Sequence, residues 1–192
     1  YTAVERDHNA AATVERLLSR SDQRCIIGSA EATGLPDAGA SVVYGEAMLS
    51  MQVASARARI IGEAARLLKH GGRYGIHELC LVPDNVSQSI RDAIQRELSH
   101  DIHVGVRPLT IPEWRETLSA AGFMETARRT VPMHLLEPRR ILKDEGFWGA
   151  LRFAMNVATH PAARRRVFSM RSVFRKFNKN LAAVAFVAQK NK

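Results

Sequence analysis

Residues 63–78, Glu-Ala-Ala-Arg-Leu-Leu-Lys-His-Gly-Gly-Arg-Tyr-Gly-Ile-His-Glu, constrain the fold of this chain more than any other stretch. Ile60, Ile61, Ala64, Ala65, Leu67 and Leu68 recur at helical spacing, so a helix over 54–69 has one apolar side. His70-Gly71-Gly72 is expected to close it, because glycine takes the left-handed conformation at a helix C-terminus without steric cost. Residues 73–82 then read as a strand. A helix that turns at once into an apolar strand is half of a βα repeat, and there are more such pieces upstream. Thr2 to Glu5 reads as the end of a strand. Residues 9–19 read as a helix, with Ala10, Val14, Leu17 and Leu18 in phase. Cys25-Ile26-Ile27 reads as a short buried strand and Ser41-Val42-Val43-Tyr44 as another. Alternation of this kind dictates a parallel sheet with helices on its faces.

Beyond the fifth strand, residues 87–98 predict a polar helix. Thr110-Ile111-Pro112-Glu113 opens another, with Thr110 as N-cap, Pro112 in the first turn and Glu113 closing a capping box; Ala121-Gly122-Phe123 ends it. Residues 125–135 and 181–189 read as two final strands, and 139–178 between them as mostly helical.

The 192 residues suffice for one domain with a core, and 46% hydrophobic and 24% charged residues fit a soluble globular protein. No apolar run reaches the roughly 18–20 residues of a membrane span, and the first residues do not read as a signal peptide. Cys25 and Cys80 sit in apolar runs and read as buried free thiols. No disulfide framework and no metal site are expected, and a cytoplasmic setting follows. The net charge of +9 is concentrated: residues 139–179 hold eleven Lys/Arg against Asp144 and Glu145, which leaves the remainder neutral. Such a region calls for an acidic partner or surface.

Three segments in order, 28–36 (Gly-Ser-Ala-Glu-Ala-Thr-Gly-Leu-Pro), 41–49 (Ser-Val-Val-Tyr-Gly-Glu-Ala-Met-Leu) and 63–78, resemble the second half of a class I S-adenosylmethionine-dependent methyltransferase domain of the small-molecule type. The resemblance covers residues 2–81 well and 108–129 and 181–189 more loosely. It implies an α/β fold, a Rossmann-like parallel sheet with an antiparallel last strand, helices on both faces and a helical insert before the last strand. The family's first strand and Gly-x-Gly-x-Gly loop are missing from this sequence. That strand would lie between the strands ending at Glu5 and Tyr44, so the sheet is expected to have a gap in its middle. A strand-sized hole exceeds the roughly 5–15 kcal/mol of net stability of a domain, and the sequence is therefore expected to be a fragment of a longer protein.

In open α/β sheets ligands bind beyond the carboxyl ends of the strands, and an acid ending the second strand can accept ribose hydroxyls. Glu5 has that position, with Arg6 beside it; a solvated charge at a strand end is the alternative. By resemblance, Ser29 and Ala30 take the adenine-contacting positions, with Ser29 in place of the usual Asp, and Glu31 either substitutes for that acid or faces solvent. Tyr44, Gly45 and Glu46 fall in the loop that passes under the methionine part of the cofactor, S-adenosyl-L-methionine. In place of the Phe-Asp that precedes that strand in the family, this chain has Ala40 and Ser41. Met48, Leu49 and Met51 read as core on either view. His77, at the mouth of the expected site, is the candidate catalytic base or else a structural hydrogen-bonder; His103 and His134 are weaker candidates.

The insert at 139–178 reads as a lid or substrate wall. Phe147 to Met155 is apolar on nearly every side, so one face must meet protein, substrate or lipid. In the next helix Val167, Met170, Phe174 and Phe177 form one stripe, while Arg164, Arg165, Arg166, Arg171, Arg175 and Lys176 crowd the other faces. The leading expectation is methyl transfer to a small-molecule or lipid-like acceptor, with peripheral contact to an anionic membrane as an additional partner. Nucleic acid is not expected, since no aromatic platform accompanies the arginines. The second expectation is a truncated, non-catalytic domain that binds a membrane surface or a protein partner through the basic helices.

Overall fold

The computed structural model describes residues 1–102, 104–133 and 137–191. The elements run β1 (Thr2–Glu5), α1 (His8–Leu17), β2 (Arg24–Ile27), β3 (Ala40–Glu46), α2 (Ala54–Leu67), β4 (Leu68–Leu81), α3 (Gln88–Ile102), β5 (Leu109–Thr110), α4 (Ile111–Ala120), β6 (Phe123–Pro132), α5 (Pro138–Thr159), α6 (Pro161–Lys176) and β7 (Leu181–Lys190). The fold is α/β with a mixed sheet. In the larger sheet the strand order is β3-β4-β7-β6, with β5 paired to the end of β4. β3 and β4 are parallel, and β7 runs antiparallel to both β4 and β6. β1 and β2 pair in parallel as a separate two-stranded sheet.

The period of two in strands β4 and β7 decides which helix covers which face. Tyr74, Ile76 and Cys80 with Ala182, Val184, Phe186 and Ala188 point to one side, where α2 brings Ile60, Ile61 and Ala64 and α4 brings Trp114 and Leu118. Trp114 is fully buried, and its indole N–H donates to the Leu79 carbonyl at 3.0 Å, so its one polar atom is satisfied. Leu81 and Leu181 point to the other side, against Ile94 and Leu98 of α3 and Val173, Phe174 and Phe177 of α6. Both faces of β4 and β7 are thereby covered. The Thr110/Glu113 capping box opens α4 as expected, and Gly122 ends it at φ +82°.

Three expectations are corrected. α2 stops at Leu67, not at the glycines: Leu68 is extended, fully buried and paired with Ala40, so packing overrides the helical pattern. Gly71 does take the left-handed conformation (φ +69°), but inside the β4 run, where the β3–β4 register shifts from Ala40↔Leu68 to Val42↔Arg73. Cys25-Ile26-Ile27 is a strand but not a buried one, since Ile27 is 51% exposed and Cys25 is half-buried. The reason is that α1 packs on β2 while the larger sheet does not pair with it. Cys80 alone is a fully buried thiol. The last residues expected in β6, Leu135 among them, and the candidates His103 and His134 lie outside the described residues.

Candidate functional site

The expected site residues sit at the carboxyl ends of the parallel strands. Glu5 is the last residue of β1, opposite Ile27 of β2, and the ladder continues as Gly28 N–H donates to the Glu5 carbonyl at 3.0 Å. The chain turns sharply after Glu5 because Asp7 caps α1, accepting from Ala10 N–H at 2.8 Å. That turn aims the Arg6 and Asp7 amides back at the carboxylate of Glu5, whose Oε1 accepts from both, at 2.7 and 2.9 Å. Oε2 accepts no bond from the described residues. The result is a half-buried carboxylate held by its own backbone, with one oxygen left to receive a ligand hydroxyl. Arg6 itself is exposed.

Ser29, Ala30 and Glu31 follow in a tight turn next to Glu5. The Ser29 hydroxyl accepts from Glu31 N–H at 3.2 Å, and Ala30 packs against the main core. One face of α2 fixes this segment. Residues 59, 63 and 66, spaced i, i+4, i+7, meet residues 31, 33 and 37 in turn. Arg59 Nε donates to Glu31 at 2.6 Å, and Arg66 pairs with Asp37. The buried Glu63 carboxylate accepts from Thr33 N–H at 2.8 Å and from the Thr33 hydroxyl at 2.6 Å. The Arg66 guanidinium beside Glu63, with the two Thr33 bonds and against the opposing effect of burial, lowers its pKa to about 2. The structure thus commits Glu31 to Arg59 and leaves Ser29 and Ala30 at the turn.

Tyr44, Gly45 and Glu46 end β3. Glu46 lies opposite His77 of β4, and its Oε1 is 3.1 Å from His77 Nδ1, both side chains being largely exposed. A Cβ on Gly45 would come within 3.0 Å of Met48 Sδ, so the close turn after β3 favours glycine. The Tyr44 hydroxyl is 3.0 Å from that of Tyr1, at the start of β1, and the two rings stack at 6.4 Å. This pair spans the break between the two sheets. β3, which borders the break, carries the exposed apolar side chains Val42 and Tyr44. Glu5 and Ser29 stand on one side of the break, Glu46 and His77 on the other, and among the described residues no hydrogen bond joins the two groups. Two open clefts, one at Arg115, Ser119 and Glu125 and one at His70, Gly71 and Gln189, lie at the opposite end of the sheet.

No family model matches the sequence. A protein of Haemophilus influenzae, described only as uncharacterized, is 30% identical over 189 residues, covering 96% of this chain and 72% of its own length. The chain belongs to that protein's family. Among solved structures, the MccD protein superposes with a TM-score of 0.71 at 14% identity, covering 99% of this chain and 79% of MccD. A Galdieria sulphuraria protein proposed to be a sarcosine dimethylglycine methyltransferase gives 0.72 at 12% identity, over 99% of this chain and 69% of that one. Geranyl diphosphate methyltransferase in complex with SAM gives 0.67 at 13%, over 98% and 68%. These likenesses place the chain in the class I methyltransferase fold.

Within that fold three residues to which sequence reasoning gave no role shape the site. Glu78, 2% exposed, accepts from the N–H groups of Met48 (3.0 Å), Leu49 (2.7 Å) and Ser50 (3.0 Å) and from the Ser50 hydroxyl (2.6 Å). Four donors on one carboxylate pin the loop that follows β3. Arg57, 4% exposed, donates to the carbonyls of Leu49, Gln52 and Arg107 and lies 5.2 Å from the centre of the Trp114 ring; burial lowers its pKa. Glu63 is the third. A carboxylate or guanidinium at an inward helical or strand position was the available signal, because such groups are buried only when paired. Met48 packs on the core and Leu49 is fully buried, as expected; Met51 is half-buried.

Proposed function

We propose that this protein is an S-adenosylmethionine-dependent methyltransferase acting on a small-molecule or lipid-like acceptor. The observation that carries the reading is Glu5. Its carboxylate is oriented by two backbone amides, keeps one oxygen free, and stands at a strand's carboxyl end beside the Ser29–Ala30 turn. A carboxylate so placed fits the paired hydroxyls of a ribose, and the neighbouring turn offers backbone groups and the Ser29 hydroxyl to an adenine edge. Tyr44 and Gly45, across the break, are the proposed neighbours of the cofactor's amino-acid portion. A further parallel strand between β1 and β3 would complete the pocket, its glycine-rich end contacting the same portion. Such a strand would also pair the edges that face one another there.

When bound, the cofactor supplies a methyl group on a sulfonium leaving group. Transfer then depends on alignment of the acceptor and exclusion of water, which the protein provides by position. Where the acceptor must lose a proton, the proposed base is His77, a role supported by Glu46 beside Nδ1, which would leave Nε2 for the acceptor. The fold likeness to methyltransferases, two of them named for small-molecule substrates, supports the reading.

The test is to incubate the full-length protein with methyl-labelled cofactor and a total cell extract, then to separate organic-soluble, protein and nucleic-acid fractions. Label in a small, organic-soluble product supports the proposal. Label confined to protein or nucleic acid, or no transfer at all, contradicts it.

A further inference from the structure

α5 is really two helical segments, since Gly146 breaks it with φ +69° and ψ 179°. The second segment, 147–159, is apolar on two opposite sides at 100° per residue. Ala150, Phe153 and Val157, at i, i+3 and i+7, are half-buried, and α6 is the element that α5 packs on. Trp148, Leu151 and Met155, also at i, i+3 and i+7, form the opposite side and are bare: 77%, 42% and 59% exposed, with Phe147 beside them at 65%. Arg152 flanks this bare stripe and is exposed.

The corner from α5 into α6 brings Arg164, Arg165 and Arg166, all exposed, into the first two turns of α6. Three other cations of the hairpin are matched: Arg140 by Asp144, Arg171 by Glu137 and Lys176 by Glu97. Among the described residues no carboxylate pairs with Arg152 or with Arg164, Arg165 or Arg166. No helix of the described residues is long and apolar enough to cross a membrane. An uncovered Trp-Leu-Met stripe beside unpaired arginines, on a hairpin carrying nearly all of the chain's net charge, has the chemistry of a helix lying in a lipid interface. There the apolar side enters the acyl boundary, tryptophan settles at headgroup level and the cations meet anionic headgroups.

We propose that the α5–α6 hairpin docks this protein on an anionic lipid surface through Phe147, Trp148, Leu151 and Met155, with Arg152 and Arg164 to Arg166 on the headgroups. This docking is independent of methyl transfer and of cofactor binding, so either proposal can fail without the other.

The test is flotation of the full-length protein with phosphatidylcholine vesicles, with and without phosphatidylglycerol, at low and high salt. Binding is expected only with phosphatidylglycerol and is expected to weaken with salt. Brominated acyl chains should quench tryptophan emission in the bound protein, and Trp148→Phe, which keeps an apolar side chain, should still bind but lose that quenching. Replacing Arg164, Arg165 and Arg166 by Gln together should weaken binding by roughly 100-fold at low salt, and Trp148→Ser with Leu151→Ser by tenfold or more. These positions are exposed, so far-ultraviolet circular dichroism should not change. Equal binding to neutral vesicles, no binding to anionic ones, or a self-associated protein whose Trp148 is already shielded from iodide without lipid would each overturn the proposal.

Discussion

Glu78 shows what one side chain does for the site. Its carboxylate takes four hydrogen bonds from residues 48–50, nearly 30 positions away in sequence, so it sets the loop after β3 rather than the chemistry. Glu78→Gln places an amide N–H₂ among donors and leaves at least one of them buried without a partner. The expected loss is about 2–3 kcal/mol, read from the urea midpoint. Glu63 acts likewise on the 31–37 segment and adds a pH dependence. Its folded pKa is lowered from 4.5 to about 2, so the tether is fully present above pH 4.5 and is lost as pH falls toward 2. Carbonyl and amide NMR shifts of Thr33 in the folded protein should therefore hold steady from pH 7 to about 3 and move as pH approaches 2, and Glu63→Gln should remove the transition. The two thiols should separate cleanly. Burial pushes Cys80 up to about 12, while Cys25 is half-buried, so iodoacetamide should label Cys25 in the native protein and Cys80 only after unfolding.

At the scale of elements, what was legible in the sequence is what is local. The Thr110/Glu113 box could be read from four adjacent residues, and the structure has Thr110 N–H and hydroxyl both donating to Glu113 Oε2, at 2.7 and 2.9 Å. Thr110→Ala should cost about 1 kcal/mol. Gly122, left-handed with open space around its Cβ position, should cost about 1 kcal/mol on mutation to Ala through backbone strain alone, both readable from the thermal midpoint. The strand and helix order also followed from period and glycine placement. The end of α2 did not, because Leu68 leaves the helix to pair with Ala40, a partner 28 residues away. Nor did the exposure of Ile27, which depends on what lies beside β2. At the site, the position of Glu5 was legible from its place at a strand end. The roles of Glu63, Glu78 and Arg57 were not, since each partner comes from a distant loop.

In the whole molecule, β3, β4, β7 and β6 form a continuous ladder in which β4 and β7 are covered on both faces, while β1 and β2 pair only with each other. Amides of β4 and β7 should therefore exchange with deuterium last, and those of β1 and β2 by local opening. Binding of a cofactor against Glu5 and the Ser29–Ala30 turn would couple the small sheet to the large one and should slow exchange in β1. That coupling is the central claim, and its most direct measurement is calorimetric titration of S-adenosylhomocysteine into the full-length protein and its Glu5→Ala variant. One binding site, weakened tenfold or more by Glu5→Ala as expected for loss of a charged hydrogen-bond acceptor, is the predicted result. No binding, or binding indifferent to Glu5, would contradict it.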